Sequence, residues 1–150
     1  SIKPFKIIVS GRIKHFISAF GEHVIGKEVE SAIQQAIAAT DASVNEFTVA
    51  PQITPNENEL PYHEWFIEFE KEPTDILKFI HVLDQTLQEQ NSYYYDLIEG
   101  KILQPLKITA IKKDGFRDYM KSIGKLGGQN KVQRLSNDRK VASELNNFKI

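Results

Sequence analysis

The chain contains no cysteine, one methionine and one tryptophan in 150 residues. Without cysteine there is no disulfide, no thiolate metal site and no thiol nucleophile. The four histidines, His15, His23, His63 and His81, are too dispersed for close metal-ligand spacing, so no structural metal is expected. No apolar run approaches the roughly 20 residues that cross a bilayer, and Ser1-Ile2-Lys3-Pro4 lacks the apolar stretch of a secretion signal. The expected compartment is therefore cytoplasmic, with no membrane partner. No strand-like segment runs into a glycine-rich phosphate loop, which argues against a nucleotide-binding Rossmann domain. Internal repeats, linkers and low-complexity stretches are also missing.

What is present suffices for one compact domain: 41% hydrophobic and 10% aromatic residues can bury a core at this length. The net charge of -1 conceals an asymmetry. Between Lys112 and Lys140 nine Lys and Arg face three Asp, giving +6, so the remainder carries -7. A basic end of this kind can meet an anion, although a mixed charge run on helices is more often a solvated face. Arginines are not interleaved with aromatics in a repeating pattern, and no nucleic-acid partner is expected.

Along the chain, Pro4 to Val9 reads as a short strand ending at Ser10-Gly11, and Phe16 to Phe20 as a second, broken at Gly21. Val29, Ile33, Ala36 and Ile37 repeat at helical spacing from Lys27 to about Ala39, with Glu28 and Glu30 near the positive end and Asp41 as the stop. Glu46 to Ala50 reads as a strand, and Pro51 to Asn58 as a loop. Trp65, Ile67 and Phe69 alternate with Glu64, Glu68 and Glu70, the pattern of a strand with one buried face. Thr74 is the expected cap of a helix carrying Ile76, Phe79, Ile80, Leu83 and Leu87, and a shorter helix follows Asn91 through Tyr93, Tyr94 and Tyr95. Leu106 to Ile111 is a further strand, Asp114 the cap of a helix through Ile123, and Lys125 to Asn130 a loop, because adjacent glycines are poor helix interior. Ser136 or Asn137 is placed to cap a last helix through Val141, Leu145 and Phe148. Trp65 and Phe69 are expected in the core, with Tyr93 to Tyr95 split between core and surface. These elements predict an α+β fold: a small sheet with flanking helices, a two-layer to three-layer sandwich.

Two motifs lie at opposite ends. Gly11-Arg12-Ile13-Lys14-His15-Phe16-Ile17, then Gly21-Glu22-His23-Val24 and Glu28-Val29-Glu30, resemble the hinge and first hairpin of the adenylate-forming superfamily, with Lys14 at the hinge position. Gly127-Gly128-Gln129-Asn130-Lys131-Val132-Gln133-Arg134 resembles that superfamily's C-terminal lysine loop. Between them, His63 to Phe69, Pro105 to Ile108 and Gly115-Phe116 narrow the resemblance to the auxin-responsive acyl acid amido synthetase family and its bacterial relatives. Gln133 stands where bacterial members commonly have proline, and Asn130 where the wider superfamily has glycine.

The resemblance covers essentially the whole chain and implies a single C-terminal lid domain, residues 1–150, opening on a hinge hairpin, of a larger enzyme. It makes Lys131 the catalytic lysine, Arg12 and Lys14 the hinge, and Gly127, Gly128, Gln129 and Arg134 nucleotide or loop support. His15 and His23 become candidates for substrate contact when the lid closes. It also implies ATP and Mg2+, bound mainly by an N-terminal adenylation domain that is the lid's partner, with a small carboxylic acid and an amine acceptor as substrates. The enzyme would be an acid-amino acid ligase, and the isolated domain inactive. The chemistry asks for a cation because a carboxylate attacks an anionic phosphorus centre and charge builds on the phosphoryl oxygens. The competing reading is a free-standing α/β binding or regulatory module whose basic end recognises an anion or an acidic partner.

Overall fold

A computed structural model describes residues 16–17, 19–53, 55–124 and 132–150. Two-residue strands β1 (Phe16–Ile17) and β2 (Val24–Ile25) pair antiparallel. Helix α1 (Gly26–Thr40) leads to β3 (Ser43–Gln52) and β4 (Tyr62–Lys71), followed by α2 (Ile76–Gln90), α3 (Ser92–Glu99) and β5 (Lys107–Ala110). Helices α4 (Gly115–Ser122) and α5 (Lys140–Leu145) and a 3-10 turn, Asn146–Phe148, complete the described elements. The sheet order is β3-β4-β5, with β3 antiparallel and β5 parallel to the central β4. The parallel pairing is possible because α2 and α3 carry the chain from the end of β4 back to the start of β5.

The sheet is covered on both faces, which makes the α+β fold three layers deep. Trp65 and Ile67 point into a core with Val29, Ala32 and Ile33 of α1, Phe79, Leu83 and Leu87 of α2, and Tyr94 of α3. Phe66 points the other way, onto Phe116, Tyr119 and Met120 of α4 and Ala142 and Leu145 of α5. This corrects the one-sided reading of β4. Its even-numbered positions are buried as well, and Glu64 and Glu68 are only 7% and 4% exposed. Trp65 is fully buried and stacks on Phe47 with ring centroids 5.6 Å apart. Of the three tyrosines, Tyr94 is buried while Tyr93 and Tyr95 are exposed.

Element ends differ from expectation where local hydrogen bonds compete. The strand expected through Phe20 stops at Ile17, and residues 19–20 form a turn. Strand β3 begins three residues early and runs through Pro51, which pairs with His63; proline is tolerated there because β3 is an edge strand. Thr74 does not cap α2. Its amide and hydroxyl both bond to the Thr40 carbonyl, at 3.0 and 3.1 Å, and Asp75 accepts from Lys78 N instead. Neither Ser136 nor Asn137 opens the last helix, which starts at Lys140 with its amide on Asp138 Oδ1 at 3.0 Å. The strand expected from Pro4 to Val9 lies outside the described residues.

Candidate functional site

The segment that follows the lysine motif is fastened to the sheet from both ends. Val49 N donates to the Arg134 carbonyl at 2.8 Å and Ser136 N donates to the Val49 carbonyl at 3.0 Å, so 134–136 lies parallel along the free edge of β3. The Thr48 hydroxyl adds a bond to the Gln133 carbonyl. Side chains finish the attachment. Arg134 donates through Nε to Glu30 of α1 at 2.9 Å and through a terminal nitrogen to Glu46 and to the Phe47 carbonyl, the latter at 3.0 Å. Its guanidinium also lies 4.4 Å from the centroid of the Phe47 ring, a cation–π arrangement. Burial opposes this charge, but the two carboxylates outweigh it and raise the Arg134 pKa.

Five residues on, Arg139 lies 2.8 Å from Glu64 of β4 and over the Phe66 ring. Thr109 of β5 donates to the other oxygen of Glu64. The buried Glu64 therefore has a cation and a hydroxyl beside it, as a carboxylate taken out of water requires. Arg134 and Arg139, two of the described cations between Lys112 and Lys140, are thus paired with carboxylates, and they offer correspondingly less positive field than the sequence suggests.

At the other end of the motif pair, Glu22 occupies the turn between β1 and β2 with its side chain buried. Its Oε2 is 2.6 Å from His63 Nε2, and Oε1 accepts from Phe20 N at 2.9 Å. Burial pushes the Glu22 carboxyl up, but the bond and attraction to His63 outweigh it and leave it lower than usual. His23 follows on the exposed side of this turn with a left-handed φ of 49°, and its carbonyl accepts from Asn91 at 3.2 Å.

Of the residues singled out from the sequence, Arg134 and His23 are therefore placed. Arg134 lies against α1 and β3, while His23 lies beside Asn91, the residue that opens α3. Arg12, Lys14, His15, Gly127, Gly128, Gln129 and Lys131 lie outside the described residues. Among the described residues no group of three or more His, Asp and Glu is placed to hold a metal ion. Sequence reasoning missed Glu30 and Glu46 as the partners of Arg134, Glu64 as the partner of Arg139, and the Glu22–His63 pair. Only for Glu22 and Glu30, both inside the quoted hairpin motif, was there a local signal.

The fold places the chain beside solved acyl acid amido synthetases. It covers 91% of its length on a structure titled GH3.15 acyl acid amido synthetase, with a TM-score of 0.72 at 15% identity. On another, titled AtGH3.15 acyl acid amido synthetase in complex with 2,4-DB, the coverage is again 91%, with a TM-score of 0.69 at 17% identity. The chain spans 25% and 26% of the length of those two proteins. No curated protein matches it significantly. The model of the GH3 family C-terminal domain matches residues 27–140. The chain belongs to the GH3 family, and the matched part is that family's C-terminal domain.

Proposed function

We propose that this domain is the lid of an ATP-dependent, acyl-adenylating ligase that joins a small carboxylic acid to an amine, an amino acid being the expected acceptor. The observation that carries the reading is the family match over residues 27–140, supported by a fold shared with proteins titled acyl acid amido synthetase. In this reading the acid's carboxylate oxygen bonds to the α-phosphorus of ATP and the bond from that phosphorus to the pyrophosphate oxygen breaks. Lys131 is the cation that offsets charge on the phosphoryl oxygens as they pass through the transition state. An amine then attacks the acyl carbon, AMP leaves with the bonding electron pair, and the amine gives up a proton.

The large N-terminal domain holds the nucleotide, its Mg2+ and the acid. The lid supplies Lys131 and then turns aside to admit the amine. Such a division agrees with a chain that spans about a quarter of its solved relatives. Arg134 and Arg139, spent on carboxylates of the domain itself, act in loop support rather than on the nucleotide. Adenylation and amide-formation assays on the full-length protein, with a panel of acids and amines, test the proposal. Acid-dependent exchange of pyrophosphate into ATP followed by amine-dependent release of AMP is the expected result, and amide formation without AMP release overturns it.

A further inference from the structure

The Glu22–His63 contact joins parts of the fold that differ in kind. Glu22 sits in a turn between strands of two residues each, and a two-stranded hairpin is at best marginally stable by itself. His63 belongs to β4, the central strand of the main sheet. Their side chains are 0% and 1% exposed and 2.6 Å apart. The other oxygen of Glu22 closes the turn on Phe20 N, so one carboxylate both shapes the hairpin and ties it down. His63 Nδ1 is buried with no hydrogen-bond partner among the described residues.

Leaving that nitrogen unpaired opposes folding, and a buried pair of this kind often gives no more net stability than apolar side chains of similar volume. Packing alone would thus favour an apolar ring at position 63. What such a ring cannot supply is the bond from Nε2 to the hairpin.

We infer that the Glu22–His63 pair is a latch that makes the β1–β2 hairpin part of the rigid body of the domain, so that the hairpin moves with the domain in any rotation against the preceding chain. The consequence for rotation rests on the lid reading, while the latch rests on geometry alone. The groups facing it are Tyr94 of α3, whose ring centroid is 5.2 Å from that of His63, and Asp84 of α2, which accepts from the Tyr94 hydroxyl at 2.5 Å. At the start of α3, Asn91 donates to Glu28 of α1 and to the His23 carbonyl. Burial first, and then Asp84 and the Glu22 charge, raise the Tyr94 hydroxyl well above its usual pKa, so it stays neutral. The lowered pKa of Glu22 fixes the sign of the acid response. The latch contributes fully above the ordinary glutamate value of about 4.3 and is lost as pH falls below it through the folded-state value.

Amide hydrogen exchange on the 150-residue chain tests the latch without any assay of activity, so its failure and that of the ligase reading are separable. Glu22→Gln should speed exchange at Ile17 and Val24 on the order of tenfold, the effect of weakening one charge-assisted bond. Amides of β3 and β4 should stay within about twofold, the limit of what a local opening transmits. Unchanged hairpin exchange, or equal acceleration of hairpin and sheet, overturns the proposal. If the variant does not fold, the unaltered chain is followed from about pH 5 down toward about pH 2, through the lowered folded-state value of Glu22, with intrinsic rates corrected. Selective loss of hairpin protection supports the latch, and parallel loss in hairpin and sheet overturns it.

Discussion

Arg134 carries more of the tertiary structure than any other described cation. It bonds two carboxylates and a carbonyl and covers an aromatic ring, so it joins α1, β3 and the C-terminal segment at one point. A lysine presents one charged nitrogen and cannot satisfy Glu30, Glu46 and the Phe47 carbonyl in a fixed plane. Arg134→Ala should lower stability by about 1–3 kcal/mol, because Glu46 is left half-buried beside an empty space. Arg134→Lys should recover only part of that. Chemical denaturation reads both, and a loss for alanine below about 0.5 kcal/mol, the range of ordinary surface substitutions, would mean that the ion pairs are solvated decoration. None of this network was legible in the sequence. The glutamates precede Arg134 by 104 and 88 positions, and only the folded sheet brings them together.

At the scale of elements, helix α4 depends on two residues that local pattern reading assigns differently. Asp114 precedes the helix, but its backbone is left-handed, with φ at 64°, and its side chain makes no capping bond. Glu68 of β4 does the capping, accepting from Asp114 N at 3.0 Å and Phe116 N at 3.3 Å. A buried carboxylate at a helix N-terminus is stabilised by the unpaired amides and the helix dipole. Gly115 fits because the chain is crowded at that point, where an added Cβ would come within 2.4 Å of Ile111 Cγ2 and 3.2 Å of the Phe148 carbonyl. Gly115→Ala should therefore destabilise by about 1–3 kcal/mol despite alanine's better helix propensity, as thermal unfolding would register. A neutral or stabilising result would show that Ile111 and the C-terminal turn yield easily. Helices α1 and α2 were legible because their apolar stripes repeat over four turns. Strand β4 misled because its glutamates are buried by tertiary partners, a feature that alternation alone reads as exposure.

At the scale of the whole molecule, the C-terminal segment closes both edges of the sheet. Residues 134–136 line β3, while Ile150 N donates to Ala110 O beside β5. Covered edges offer no unpaired row of backbone groups to another chain. The class of fold was legible from the alternation of strand and helix signals, and the family from the segments between the two end motifs. The choice between two layers and three was not, because nothing local records which helix crosses to which face. The candidate lysine, legible only through the glycine-bordered motif, is where the central claim is most exposed. In the full-length enzyme, Lys131→Ala should slow acid-dependent ATP–pyrophosphate exchange by about 100-fold or more, the usual effect of removing one charge-stabilising group. Amide formation from a preformed acyl-adenylate should slow far less. Exchange that survives unchanged, or an equal loss in both half-reactions, would contradict the account.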